Sequence, residues 1–304
     1  MPTVTIAGGS GFIGQHLAAT LTKHNFQVVI LTRKEGTFCS FPTRTVNYQD
    51  PSSLITALKG TDYVVNLTGC LFSFTPKGYF QGNVLPTRAL VQAANQTPTI
   101  KRFIQISSQA AAGPSANVPL TEQDPCRPVA DYGRTKLAAE KELSALPCPF
   151  VILRPPIVYG LHASGLTELD PFLKWGWFVD PTPKVRYSTI HVEDLTQSIL
   201  LALTNRAVEN QTFFVGDSVG CSWKQLIEAT AQRPIRFINV PYWLAALSIR
   251  IYQLFAKPLK ASALLNYDKI NEMNIKGNWL CNSHAWTRLT GQTFRGLSNT
   301  SAKS

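Results

Sequence analysis

Two short stretches of this 304-residue chain hold residue types and spacings able to do chemistry. The first is Gly8-Gly9-Ser10-Gly11-Phe12-Ile13-Gly14. It directly follows the β-rich run Val4–Ala7 and opens a stretch of helical spacing from Phe12 to Thr22. Glycines at 8, 11 and 14 permit a tight turn, close approach of backbone to a pyrophosphate, and close helix–strand packing. Phosphate oxygens would meet the amides around Gly11, Phe12, Ile13 and Gly14 at the positive end of that helix. This is the pattern of a dinucleotide site. The second stretch is Ser107-Ser108, followed 24 positions on by Tyr132-Gly133-Arg134-Thr135-Lys136. At i and i+4 a phenol and an ammonium share one helix face. The cation is expected to lower the phenol pKa from about 10 toward the working range. Tyr132 could then exchange a proton with a substrate oxygen that Ser108 holds as charge develops.

The elements that must position these groups alternate. Strand-like runs at Val4–Ala7, Val28–Leu31, Tyr63–Leu67, Phe103–Ile106 and Phe150–Leu153 are interleaved with helical patterns at Phe12–Thr22, Leu54–Leu58, Val84–Ala94 and Tyr132–Leu146. Repeated β-α-β order with non-alternating, buried strands predicts an α/β fold built on a doubly wound parallel sheet. Residues 161–187 are rich in Trp, Pro and Gly, with Asp170-Pro171 and Asp180-Pro181 as turn signals. His191–Leu203 returns to helix, with Glu193 and Asp194 near its positive end. Thr212–Val215 reads as strand, the remainder to about Gly291 as mostly helical, and 297–304 as a frayed tail. The expected division is a dinucleotide-binding domain over 1–160, completed by about 188–216. Residues 161–187 and 217–304 form a smaller, mostly helical substrate lobe in this reading.

Composition removes several classes. With 44% apolar and 15% charged residues, the chain can bury a sizeable core and is not disordered. The longest apolar run, near Val240–Ala256, is broken by Arg250 and Gln253, so no segment reads as a membrane span. The N-terminus lacks the basic flank and cleavage site of a secretion signal. Six cysteines (Cys39, Cys70, Cys126, Cys148, Cys221, Cys281) lie far apart with no C-x-x-C. Reduced thiols in a cytoplasmic protein are expected, without a metal or a disulfide framework. Net charge is +11, and from Asn210 onward eleven basic residues face four acids, a local +7. Such a face suits a polyanion, an anionic membrane or a phosphorylated substrate. No five-residue basic cluster is present, so nucleic acid is not an expected partner.

Taken in chain order, these motifs resemble the extended short-chain dehydrogenase/reductase superfamily, with specific motifs as far as Asp194 and looser similarity beyond. The resemblance implies a Rossmann fold, an NAD(P) cofactor and a catalytic set of Ser108, Tyr132 and Lys136, with Lys136 also bonding the nicotinamide ribose. NAD-preferring relatives would carry an acid where Thr32 stands; Arg33 and Lys34 follow instead. A guanidinium suits a ribose 2′-phosphate through bidentate contact, which favours NADP(H) over NAD(H). Asn47 occupies the position at which relatives set an Asp against the adenine, and Gly69 lies where their backbone passes the cofactor. Asn83-Val84-Leu85-Pro86-Thr87 is similar to the family's Asn-Val-x-Gly-Thr helix start. Asn83 there reads either as the helix cap or as a structural group near the cofactor. Arg154-Pro155-Pro156-Ile157-Val158-Tyr159-Gly160 resembles Arg-Pro-x-x-Val-Tyr-Gly, whose backbone at Pro155 and Ile157 would hold the nicotinamide carboxamide. His191 matches the His of a His-Val-Asp-Asp helix start, as a structural link between lobes.

Substrate class divides three ways. Nucleotide-sugar relatives place an Arg four residues before that His, whereas Tyr187 stands here with Arg186 one step out of register. Trp243, Leu244, Leu247, Ile251, Leu254 and Phe255 recur at helical spacing. This stripe is expected either to pack on the sheet or to form a greasy substrate wall or a membrane-surface helix, with Lys257 and Lys260 beside anionic lipid. Trp175, Trp177 and Phe178 add aromatic area near the expected mouth. The reading that follows is an oxidoreductase moving hydride between a nicotinamide cofactor and a bulky hydrophobic secondary alcohol or ketone, in the style of 3β-hydroxysteroid dehydrogenases and dihydroflavonol reductases. A nucleotide-sugar epimerase or dehydratase is the alternative within the family. A cofactor-binding assembly protein, similar to the accessory subunit of respiratory complex I, is the alternative of another class. Expected partners are a small-molecule substrate, a peripheral membrane surface and a second copy in a homodimer.

Overall fold

The computed structural model describes residues 1–35, 40–160, 173–231, 234–256, 266–273 and 277–297. Cys39, residues 161–172 of the turn-rich stretch, Lys257, Lys260 and the tail from 298 onward lie outside the described residues.

Seven parallel strands make the central sheet. They are β1 (Thr3–Ala7), β2 (Gln27–Thr32), β3 (Thr43–Thr45), β4 (Tyr63–Asn66), β5 (Arg102–Ile106), β6 (Phe150–Arg154) and, after β7 (Ile157–Tyr159), β8 (Trp177–Asp180) and β9 (Thr189–His191), β10 (Gln211–Phe214). Their order across the sheet is β10-β6-β5-β4-β1-β2-β3. The chain winds outward in both directions from the β1–β4 pair, and that reversal opens a crevice at the carboxyl ends of the strands.

Side chains alternate across the sheet, and both faces are covered. Ile6, Ile30, Val65, Ile104 and Leu153 point to one face, where they meet Leu17 and Leu21 of α1 (Phe12–Lys23) and, further along the chain, Leu195 and Ile199 of the helix Val192–Thr204. Ala7, Leu31, Val64, Phe103 and Ile152 point to the other, against Leu54 and Leu58 of α2 (Pro51–Leu58) and Leu90 and Val91 of α3 (Pro76–Asn95). Two buried faces explain why these strands read as unbroken apolar runs. Each fully buried Ile or Leu contributes roughly 1.5–3 kcal/mol.

The third helix departs from expectation. The pattern predicts a start at Asn83, yet α3 begins two turns earlier, at Pro76. Thr75 caps it by accepting from the Gly78 amide at 3.1 Å, and Pro76 occupies the first helical position. Cap plus proline is a strong start signal, and it outranks the later Asn-Val motif. Asn83 is therefore no cap, and Pro86 lies inside the helix.

Among the described residues the remaining α-helices are α4 (Asp131–Glu142), α5 (Val192–Thr204), α6 (Trp223–Thr230), α7 (Tyr242–Ala256), α8 (Tyr267–Met273) and α9 (His284–Thr290). A second packing centre gathers Tyr159, Phe178, Tyr187, Trp223, Leu226 and Trp279. There β8 pairs in parallel with β11 (Arg236–Asn239). Helix α9 returns to the main sheet, where its fully buried Trp286 meets Phe213 edge-on, ring centroids 5.2 Å apart. The apolar stripe of α7 does not pack on the sheet. Trp243 is 65% exposed and Leu254 73%, so one expectation for that stripe is overturned.

Candidate active site

The glycine turn joins β1 to α1 beneath the crevice. Gly8 has a φ of +77°, and a Cβ there would fall 2.9 Å from the Leu67 carbonyl carbon. A Cβ on Gly14 would fall 2.4 Å from the Gly9 Cα, so the helix can seat against the turn only without one. Gly11 differs: the sole neighbour of its would-be Cβ is the Gly8 carbonyl oxygen, at 3.5 Å. Gly11 is also the N-cap of α1, with no side-chain hydrogen bond to the cap and no acid in the first turn. Helix starts carry unsatisfied amides and partial positive charge. The Gly11 amide itself donates to the Gly8 carbonyl at 3.3 Å, which leaves the first-turn amides of Phe12, Ile13 and Gly14 as a donor set that fits a pyrophosphate. Arg33 and Lys34 are exposed at the end of β2, and the positive charge of Arg33 acts on Tyr48 and Cys70. Asn47 is exposed as well, but its side-chain oxygen accepts from the Gln49 amide at 3.0 Å in a local turn.

Ser108, Tyr132 and Lys136 come together at the ends of β5 and β6. Ser108 follows β5 and caps a short 3₁₀ turn by accepting from the Ala110 amide at 3.2 Å, and its hydroxyl acts on the Tyr132 phenol closely enough to lower its pKa. Tyr132 and Lys136 share the buried face of α4. The Lys136 ammonium donates to the Ile106 carbonyl at 2.7 Å, and a Cβ on Gly69 would lie 3.8 Å from it. Burial pushes the Lys136 pKa down to about 8, with the Glu140 carboxylate one turn on opposing that shift.

The phenol behaves differently from expectation. Burial raises its pKa, the Ser108 hydroxyl lowers it, and the charge on Glu272 raises it further. Desolvation disfavours the phenolate more than its surroundings favour it, so the expected net lowering of the phenol pKa is corrected to a net rise.

Asn83 bridges two walls of the site from mid-helix. Its side-chain oxygen accepts from the Cys70 amide at 2.7 Å, and its amide group donates to Thr135 at 2.9 Å. The loop after β4 is thereby tied to α4. On the β6 side, the Pro155 carbonyl accepts from the Gln109 amide at 2.9 Å, and Ile157 packs in the same cluster as Phe12. His191 caps α5 through the Glu193 amide at 3.3 Å and meets the Tyr159 ring edge-on.

Two groups around the site have no sequence motif. In the first, Glu140 accepts from Ser107 at 2.5 Å and from Arg154 at 2.9 and 2.7 Å, a buried ion pair one turn beyond Lys136. In the second, α8 reaches across to α4. Ala130, the N-cap of α4, offers no capping side chain, and Asp268 supplies the function by accepting from the Asp131 and Tyr132 amides at 2.7 and 3.1 Å. Lys269 places its ammonium 4.5 Å from the centre of the Tyr132 ring and pairs with Glu272 at 2.7 Å. The spacing of Lys269 and Glu272 is that of an ordinary surface ion pair, so only the tertiary fold distinguishes it. Among the described residues no cluster of His, Cys, Asp or Glu could hold a metal ion.

A family model for NAD dependent epimerases and dehydratases matches residues 4–216, from β1 to the end of the sheet. The chain belongs to this family. The extended short-chain dehydrogenase/reductase resemblance is borne out, as is the doubly wound parallel sheet. Family members are NAD(P)-dependent oxidoreductases and epimerases or dehydratases. One relative is dTDP-6-deoxy-L-talose 4-dehydrogenase (NAD(P)(+)) of Kitasatospora kifunensis, 31% identical over 145 residues. That match covers 45% of each chain, so this protein spans less than half of that relative. A second is the decarboxylating sterol-4-alpha-carboxylate 3-dehydrogenase of Dictyostelium discoideum, 26% identical over 307 residues, covering 89% of this chain and 92% of that one. In three dimensions the family fold superposes on MoeE5 in complex with UDP-glucuronic acid and NAD. The TM-score is 0.74 at 22% identity, covering 99% and 97% of the two chains.

Proposed function

We propose that the protein is an NADP(H)-dependent oxidoreductase that interconverts a secondary alcohol and a ketone on a bulky apolar substrate. The observation that carries this is the convergence of Ser108 and the Tyr132 phenol with the buried Lys136 one helical turn on, in a chain whose glycine turn suits a pyrophosphate. Gly8, Gly11, Phe12, Ile13 and Gly14 hold the phosphates in this reading. Arg33 and Lys34 hold a ribose 2′-phosphate, and Asn47 stands toward the adenine. Gly69, Asn83, Pro155 and Ile157 shape the nicotinamide end, with Lys136 on its ribose. The bound nicotinamide supplies or accepts the hydride.

The side chains handle the proton. Ser108 donates a hydrogen bond to the substrate oxygen and holds it toward the phenol. Tyr132 gives its proton to that oxygen as a ketone is reduced, and takes one back in the oxidative direction. The raised phenol pKa keeps the proton in place until charge develops on the substrate. Lys136, still largely cationic near neutrality, stabilises the phenolate that forms.

An apolar substrate is supported by Tyr187 and Arg186. Tyr187 is buried against Trp223, and Arg186 donates to the Gly220 carbonyl at 2.6 Å, so the arginine of the sugar-binding pattern has no counterpart. The sterol dehydrogenase supports the same class. The talose dehydrogenase is an oxidoreductase by its reaction, but its nucleotide-sugar substrate is of the class that the second reading, a nucleotide-sugar epimerase or dehydratase, would take. Among the described residues no helix is long and apolar enough to cross a membrane, and the proposed location is the cytoplasm or its membrane surface. The test incubates purified protein with NADPH and either bulky apolar ketones or UDP-sugars. Net loss of reduced-nicotinamide absorbance with a ketone supports the proposal. Sugar interconversion without net cofactor consumption supports the second reading instead.

A further inference from the structure

We infer that helix α7 is the docking element of the protein, and that its occupant is a lipid surface bearing anionic headgroups. At 3.6 residues per turn, Trp243, Leu244, Leu247, Ile251, Leu254 and Phe255 fall within an arc of about 120°. All six are exposed, from 43% at Leu244 to 73% at Leu254. Ala246 and Ala256, on the far side, are buried and anchor the helix to the protein. A continuous exposed band of large side chains, one of them a tryptophan, is the form of an interfacial helix lying in the membrane plane.

Charge identifies the occupant. No acid occurs between Glu228 and Asp268, whereas Arg233, Arg236, Arg250, Lys257 and Lys260 all do. Arg233, Lys257 and Lys260 lie outside the described residues; of the other two, Arg250 is exposed on α7 itself. The Arg236 guanidinium lies over the Trp177 ring, 5.5 Å from its centre, next to Trp175, which is 80% exposed. A second copy of the chain would meet this face through an isologous contact, setting the same acid-free patch against itself. Like charges would then oppose each other. A sheet of lipid phosphates removes that repulsion and accepts the tryptophans and leucines together.

The position of the face gives it a use. Helix α7 packs against α8, and α8 sets Asp268 and Lys269 on Tyr132. The docked surface is therefore one helix away from the phenol. Docking does not depend on the proposed chemistry; delivery of an apolar substrate from that surface rests on it.

Co-sedimentation of the full chain with vesicles tests the inference. The probes are phosphatidylcholine alone and phosphatidylcholine mixed with phosphatidylglycerol. Binding to the mixed vesicles is expected, weakened by salt, and at least about tenfold weaker in Leu247→Ser/Leu254→Ser. This double substitution leaves every charge in place, and NADP(H) binding reports that the variant is folded. Equal sedimentation of variant and parent would overturn the docking role of α7, as would no preference for the anionic vesicles. A concentration-dependent dimer abolished by the same variant, with no vesicle binding, would assign the face to self-association instead.

Discussion

The turn at residues 8–14 and helix α8 serve the same crevice in opposite ways. The turn is contiguous in sequence, and Gly8 and Gly14 are required by contacts with the loop after β4 and with the turn itself. Helix α8 arrives from more than 130 residues beyond Tyr132, yet it caps the helix carrying that phenol and sets a cation against its ring. A phosphate cradle can be written as a local backbone motif, because backbone amides are the ligands. The electrostatics of a buried phenol depend on whichever charges the tertiary fold brings near it, and no local pattern records them.

Replacing the residue on which both regions converge should have the largest effect. Tyr132→Phe is expected to lower kcat/KM by about 10²–10⁴-fold while NADP(H) affinity is kept. A parallel loss of both would mean that the two regions are not separable. Lys136 offers a second test through pH. Its folded pKa, about 8, lies below the ordinary lysine value of 10.5, so between these the unfolded chain binds more protons. Stability should therefore rise as pH climbs from about 8 to about 10.5, by relief of the buried charge. Chemical unfolding across that window should lose this slope in Lys136→Met.

At the local end, Arg33→Ser should weaken NADP(H) binding by about tenfold to a hundredfold and leave NAD(H) nearly unchanged. Titration of both cofactors into the variant checks it, and an equal loss for both would remove the 2′-phosphate assignment. At the distant end the expected effects are smaller and opposite in sign. Glu272→Gln removes a charge that raises the phenol pKa, so the alkaline limb of the pH–rate profile should move down. Lys269→Met should move it up, each within about one pH unit. Limbs that stay put would show α8 to be a structural support only.

The same contrast decides what could be read in advance. The glycine turn, the order of Ser108, Tyr132 and Lys136, and the parallel sheet follow from contiguous patterns and strand periodicity. Asn83 was legible as a residue near the site but not as a bridge in mid-helix, because the Thr75-Pro76 start lies upstream of the motif that draws notice. Glu140 looks like one charge among several on a polar helix, and only its buried pairing with Arg154 sets it apart. The α7 stripe has the periodicity of a core helix. Periodicity reports that one face is apolar, and the fold decides whether anything covers it.

Calorimetric titration of NADPH into the full chain, beside Gly11→Asp, bears most directly on the central claim that a dinucleotide pyrophosphate sits on the start of α1. Aspartate is a favourable N-cap, so the variant should fold with unchanged or greater stability. Its carboxylate would stand where the phosphates bind. The parent should bind saturably, one NADPH per chain, and the folded variant should not bind; saturable binding of equal affinity by both would contradict the account.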